Sequence, residues 1–183
     1  MTGRHRVEHL LLGISGSSAA TAAAELVADA GQYARKVTVV ATATAAELFL
    51  PDLPVPVFTD THWKSNPEDP LHIRLLQDTD WFIVAPATAT TLARAGAGLA
   101  DNLLAALILA HGPGVYFQPS MNQRMWNSPA TRRTIGLLTA DGHHILGSAP
   151  TPTLPSDTPA GGIGAIPGTV LATAAAHRQK HES

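Results

Sequence analysis

The chain has 183 residues, 45% hydrophobic and only 14% charged, with 12 basic against 14 acidic side chains and a net charge of −2. That is one domain's worth of chain, able to bury about 70% of its unfolded surface unaided, and its charge balance gives no electrostatic case for a nucleic-acid or anionic-membrane partner. The sequence has no cysteine, which excludes a disulfide framework, a zinc–thiolate or iron–sulfur site and a Cys nucleophile.

The N-terminus carries no secretion pattern, and the longest apolar stretch, 103–110, is too short to span a bilayer. The expected location is therefore cytoplasmic. A monomer of this size usually carries about 25% charged residues. The deficit here has two readings: surface covered by other copies of the chain, or a compositional bias toward Ala, Thr and Pro.

Short β-branched runs alternate with alanine-rich stretches along the chain. Residues 9–14 read as a first strand and 17–30 as a helix, closed by Gly31 just past its end. Residues 37–41 form a second buried strand, followed by a helical turn through Glu47. Prolines at 51, 54 and 56 limit 55–58 to a short strand or a sheet edge. Residues 70–77 are predicted helical, with Pro70 in the first turn. The run 81–85 is apolar throughout, as a strand covered on both faces should be. Helices over 88–97 and 101–109 are split at Gly98. A strand over 114–117, a helical stretch over 121–138 broken near Pro129, and a short strand over 144–146 complete the pattern.

The tail changes character. Residues 149–159 are rich in Pro, Thr and Ser, and Gly161-Gly162-Ile163-Gly164 precede a last helix at 170–176. The structural reading is an unstructured linker; the functional one is a glycine-hinged flap over a site. The expected layout is a core over 1–148, a flap over 149–168 and a C-terminal helix and tail over 169–183.

Strands alternating with helices predict an α/β fold: one domain with a doubly wound parallel sheet of the Rossmann-like, flavodoxin-like kind. Ligands in such sheets sit outside the carboxyl ends of the strands, so the loops to watch are 13–18, 42–44, 86–91 and 119–126.

In the first loop, Gly13-Ile14-Ser15-Gly16-Ser17-Ser18 offers small residues, hydroxyls and helix N-terminal amides that suit a phosphate. It meets neither the full G-x-G-x-x-G spacing nor the P-loop, so a structural turn stands beside the anion site. Thr88, Thr90 and Thr91 follow the central strand, where their hydroxyls can bond ribityl or phosphate oxygens. Capping by Thr88 and Asp101 is the structural alternative. In Pro119-Ser120-Met121-Asn122-Gln123-Arg124-Met125-Trp126, Met and Trp could simply be core. Asn122 nonetheless places an amide amid apolar walls, as binding sites often do. His72 stands in Leu71-His72-Ile73. His143 and His144 are adjacent in a strand and point to opposite faces, so no metal set is read there. A G-x-S-x-G motif and a Ser/His/Asp set are also absent.

Together these segments resemble the homo-oligomeric flavin-containing Cys decarboxylases. That family includes the phosphopantothenoylcysteine decarboxylases and the peptidyl-cysteine decarboxylases of lanthipeptide and thioamitide biosynthesis. Its P-A-S-A-N-T motif appears as residues 86–91, with Thr90 in place of Asn. Its P-x-M-N-x-x-M-W motif is matched at every fixed position by 119–126, and its H-I histidine by His72-Ile73. The resemblance covers about residues 10–147.

The resemblance implies FMN, with FAD the alternative, held by Gly16, Ser17, Ser18, Thr42, Thr44, Thr88, Ala89, Thr90, Thr91 and Ser120. It implies catalytic roles for His72 and Asn122, with Asn122 holding the substrate carboxylate and Met125 lining the same pocket. It also implies a homotrimer or homododecamer with the flavin at a subunit contact. The coenzyme A pathway enzymes use a flap cysteine to return the enethiol to a thiol. Here 158–164 reads Thr-Pro-Ala-Gly-Gly-Ile-Gly. The expectation is therefore a peptidyl-cysteine enzyme, which oxidatively decarboxylates the C-terminal cysteine of a precursor peptide to an aminoenethiol, a step toward AviCys- or AviMeCys-type rings. Phosphopantothenoylcysteine decarboxylase, a UbiX-like flavin prenyltransferase and a non-catalytic flavin-binding regulatory subunit are the rivals.

Overall fold

A computed structural model describes residues 6–65, 68, 70–147, 162–163 and 167–181. Two apolar runs make the centre of the sheet: β1 (Val7–Ile14), buried from His9 onward, and the strand at Trp81–Ala87, buried throughout. On one side of β1 lie β2 (Ala34–Ala41) and the two-residue β3 (Val57–Phe58). On the other, the Trp81–Ala87 strand is β4, followed by β5 (Tyr116–Pro119). The short β6 (Met121–Asn122) stands apart, and β7 (His144–Ile145) closes the sheet. All six sheet strands pair in parallel in the order β3-β2-β1-β4-β5-β7. This is the expected doubly wound, flavodoxin-like Rossmann arrangement, with the order reversing between β1 and β4.

Alternation along the strands sends Leu10, Leu12 and Ile14 to one face and Leu11 to the other. The first face is covered by α1 (Ala23–Tyr33), which follows a 3-10 turn (Ser18–Ala22), and by Ala45 of α2 (Ala43–Leu48). Next in the chain come α3 (Asp60–Ser65) and α4 (Leu71–Leu76). The second face packs Leu71 and Leu75 with residues of α5 (Ala89–Gly96) and α6 (Leu103–His111). In α6, Leu103 to Ile108 are all buried, so the helix is apolar all round. The one-turn α7 (Gln123–Trp126) leads to α8 (Pro129–Ala140), where Ser128 caps and Pro129 takes the first position.

Three expectations change. Gly31 lies inside α1 rather than past its end, without the left-handed φ of a helix stop. The helix runs on to Tyr33, whose ring meets Trp81 edge-on at 6.2 Å. Residues 121–122 are not helical: β6 pairs antiparallel with β8 (Gly162–Ile163), Met121 opposite Ile163 and Asn122 opposite Gly162. The last helix, α9 (Pro167–His181), extends beyond 170–176 at both ends and buries Val170, Leu171 and Ala174 in the core that α1 covers. Of the flap expected at 149–168, only 162–163 and 167–168 lie among the described residues. His143 and His144 do diverge, the first ring against Phe117 and the second against Tyr116. No helix among the described residues is long and apolar enough to cross a membrane.

Candidate functional site

The reversal between β1 and β4 separates their outgoing loops and opens a cleft of about 580 Å3. Its floor is held by hydrogen bonds between loops. Ser15, fully buried, donates from N (3.1 Å) and Oγ (2.7 Å) to the Pro86 carbonyl, and its Oγ accepts from Thr88 N at 2.8 Å. The Ala85–Pro86 peptide is cis. The register between β4 and β5 shifts between Val84 and Ala87, and there Ser120 N donates to Ala87 O at 2.8 Å. The Ser17 and Ser120 hydroxyls share a hydrogen bond of 2.8 Å. Loops from β1, β4 and β5 are thus joined to one another by hydrogen bonds within one chain.

Of the expected cofactor residues, Gly16, Ser17, Thr42, Thr44, Thr88, Ala89, Thr90, Thr91 and Ser120 line this cleft; Ser18 is exposed and outside the lining. Several of the hydroxyls are helix caps. Thr42 accepts from Ala45 N at 3.4 Å and Thr88 from Thr91 N at 3.3 Å. A capping hydroxyl accepts through oxygen, so Thr42 keeps its own proton to donate outward, while the Thr88 and Thr91 hydroxyls, 3.2 Å apart, share one hydrogen bond and keep one proton between them. Gly16 has a steric reason: a Cβ there would lie 2.6–2.7 Å from the Thr44 side chain.

Met125 also lines the cleft, and Asn122 stands beside it, exposed, as the cap of α7. Asn122 Oδ1 accepts from Met125 N at 2.9 Å. A backbone N–H requires an acceptor, so the amide NH2 is the end left to meet a ligand. His72 does not line its own chain's cleft. It sits half-buried on α4 with its ring 6.0 Å from that of Trp63, at 79°.

The cleft holds residues that the sequence reading did not select. Arg94 pairs with Asp101 at 2.8 Å to Oδ1 and 3.1 Å to Oδ2. Asp60 accepts from Leu103 N at 2.7 Å, tying α3 to the start of α6. Asn102, not Asp101, caps α6, accepting from Ala105 N at 2.8 Å. In Asp101-Asn102, at the start of this helix, an Asp beside an Asn leaves open from sequence which one caps until Arg94 claims the first.

A doubly wound α/β protein with a hydroxyl-lined, cofactor-sized cleft at the point of strand-order reversal is the class these features define. The flavoprotein family profile matches residues 2–175. A probable phosphopantothenoylcysteine decarboxylase of Streptococcus mutans is 36% identical over 142 residues, which is 73% of this chain and 79% of that protein. Mersacidin decarboxylase of a Bacillus species is 32% identical over 140 residues, 75% of this chain and 72% of the relative. The chain spans 36% of the length of the bifunctional coenzyme A biosynthesis protein of Vibrio vulnificus that it also matches. Among solved structures, a PPC decarboxylase mutant complexed with pantothenoylaminoethenethiol superposes with a TM-score of 0.81 at 32% identity, over 97% of this chain and 100% of the other. The FMN-dependent cysteine decarboxylase TvaF, from thioviridamide biosynthesis, gives 0.70 at 28%, over 77% and 90%. The chain belongs to the flavoprotein family, on its branch of flavin-dependent cysteine decarboxylases. The absence of a flap cysteine points to the peptidyl-cysteine enzymes as the nearer branch; of the proteins compared, the PPC decarboxylases match with higher identity and TM-score.

Proposed function

We propose that this chain binds FMN in the cleft and oxidatively decarboxylates a substrate ending in cysteine, stopping at the enethiol. The observation that carries this reading is Asn122, whose Oδ1 is held by the N–H of Met125, a residue lining the hydroxyl-rich cleft, which leaves the NH2 as the end able to meet a substrate. The residues present fit FMN. Thr42, Thr44 and one hydroxyl from each of the Ser17–Ser120 and Thr88–Thr91 pairs supply neutral donors, Gly16 is small where a Cβ would strike Thr44, and the volume suits a ligand of that size.

An unactivated carboxylate holds its carbon dioxide because the electrons left behind have no acceptor. A thiocarbonyl β to it provides one. The chemistry FMN supplies when bound is the two-electron oxidation that makes this C=S group, taking the hydride from Cβ. His72 would receive the thiol proton, a task suited to an imidazole. Asn122 would orient the carboxylate through NH2 without an ion pair, so loss of carbon dioxide meets no strong ground-state clamp. The bonding pair then becomes the Cα=Cβ bond and sulfur takes the charge of an enethiolate. His72 lies off its own cleft, which supports a homo-oligomer, trimer or dodecamer, in which one copy's His72 serves a neighbour's site. The antiparallel pairing of Gly162–Ile163 with Met121–Asn122 supports the flap reading for this stretch.

Two substrates have a specific observation each. The sequence lacks the flap cysteine, and a PPC decarboxylase with cysteine replaced by serine is complexed with an enethiol. Both favour an enzyme that stops at the enethiol, as a peptidyl-cysteine decarboxylase does. The extent of similarity favours the second reading, phosphopantothenoylcysteine as substrate. Mass spectrometry of both compounds after incubation with the flavin-loaded protein separates them. Loss of carbon dioxide and two hydrogens from a peptide ending in Cys supports the first reading. The same loss from phosphopantothenoylcysteine alone supports the second, and no change in either overturns the proposal. His72→Asn that leaves turnover intact removes His72 from the mechanism.

A further inference from the structure

We propose that Trp63 is the positioning residue for His72, an inference that rests on the catalytic reading of that histidine. Nδ1 of His72 is buried with no hydrogen-bond partner among the described residues. Imidazoles are ordinarily held by a hydrogen bond to one ring nitrogen, which leaves the other to act. That device is missing here. Packing takes its place: the indole of Trp63 stands edge-on to the imidazole, centroids 6.0 Å apart at 79°, the arrangement aromatic quadrupoles favour.

Both rings are anchored from behind. Trp63 is partly buried against the core cluster that contains Leu71 and Leu75, the inward residues of α4 that flank His72. Leu71 and Leu75 thus occupy the inward side of α4, and the indole edge beside His72 restricts rotation of the imidazole. With Nδ1 enclosed, Nε2 is the nitrogen that can meet a thiol. The helix that carries Trp63 is fixed at its other end too. Asp60, one turn earlier on α3, accepts from Leu103 N and lines the cleft. A short helix of six residues thus reaches the cleft wall at Asp60 and the histidine at Trp63.

The test compares Trp63→Leu and Trp63→Phe in the flavin-loaded enzyme, with three readouts. Proton NMR of the His72 ring should lose its ring-current displacement in Trp63→Leu and keep most of it in Trp63→Phe. Single-turnover flavin reduction at saturating substrate should slow by about three- to tenfold in Trp63→Leu, the range an aromatic pair of this kind carries, with KM and flavin content unchanged and Trp63→Phe near wild type. In a His72→Asn background Trp63→Leu should add nothing further, because contacting residues that act as a unit are not additive. Unchanged ring shifts, or a Trp63→Leu effect that persists in full without His72, overturns the inference. Should His72→Asn itself leave turnover intact, the catalytic reading fails by that separate result, while the ring shift still reports whether the pair exists.

Discussion

The floor of the cleft and its rim are built on opposite terms. On the floor, Ser15, Pro86, Thr88, Ser17, Ala87 and Ser120 bond one another across three loops within one chain, which leaves the Thr42 and Thr44 hydroxyls and one proton of the Ser17–Ser120 pair for a ligand. At the rim, Asn122 keeps its NH2 outward, Met125 is 44% exposed, and His72 lies outside the cleft of its own chain. A floor whose loops are tied to one another suits a group that is bound once and kept, since the remaining donors need no reordering. Open valences at the rim suit a substrate that comes and goes.

The largest expected effect breaks the rim alone. Asn122→Asp keeps the cap of α7, because Asp caps a helix as well as Asn, but sets a carboxylate against the substrate's own. Like charges in contact cost several kcal/mol, so kcat/KM should fall by about a hundredfold or more. Melting temperature and flavin content should stay at wild type. A variant that loses flavin together with activity would show that rim and floor are one unit.

The converse experiment breaks the floor. Ser15→Ala removes the acceptor of Thr88 N and one of two donors to the Pro86 carbonyl. A buried donor left unsatisfied costs about 1–3 kcal/mol. Thermal unfolding should register that loss, and the protein should retain less flavin after gel filtration, while KM for substrate in the loaded fraction is unchanged. Loss of substrate affinity in that fraction would contradict the separation.

The two regions also differ in how far the sequence discloses them. The apolar runs of β1 and β4 announce a central parallel sheet, and nine of ten expected cofactor residues lie together in the cleft because they follow strand ends. Position after a strand is a local property, and local properties are legible. Residues 121–122 read as helix since their partner, 162–163, is remote in the chain. Asp60 lines the cleft because α3 reaches across to Leu103 N, and Asp101 faces Arg94 rather than capping α6. Each of these depends on a contact between segments that no periodicity encodes. The place of His72 is the extreme case: it lies off its own chain's cleft, and only the oligomer proposed above would bring it to a site.

A smaller effect separates the stability of the sheet from the site. His9 lies on β1 away from the cleft, buried, with Nε2 2.9 Å from Thr38 Oγ1. Burial, then Lys36, holds its imidazole below the usual 6.5 against the opposing pull of Asp78 and Asp80. The folded state therefore refuses a proton that the unfolded chain accepts. The resulting stability is fully present above pH 6.5 and is lost as pH falls toward the lowered value. His143, half-buried and likewise held below its usual value chiefly by burial, adds to the slope. His9→Asn should flatten the dependence of unfolding free energy on pH below 6.5 in urea titrations, without removing it. An unaltered slope would locate the titration elsewhere.

The smallest expected effect is the most direct test of what kind of floor this is. The cationic side chain lining the cleft, Arg94, is already paired with Asp101, and Asp60 adds a negative charge. A phosphate held there must therefore be gripped by hydroxyls and backbone amides rather than by free cations. Screening weakens attraction between net charges far more than it weakens short hydrogen bonds to neutral donors. FMN affinity, followed by quenching of flavin fluorescence, should thus change by less than about twofold between about 0.05 and 0.5 M salt. Arg94→Gln should leave Asp101 unpaired beside the bound anion, so affinity falls at low salt and recovers as salt rises. A wild-type affinity that drops steeply with salt would mean that Arg94 leaves Asp101 to meet the phosphate, and the floor would then rearrange on binding.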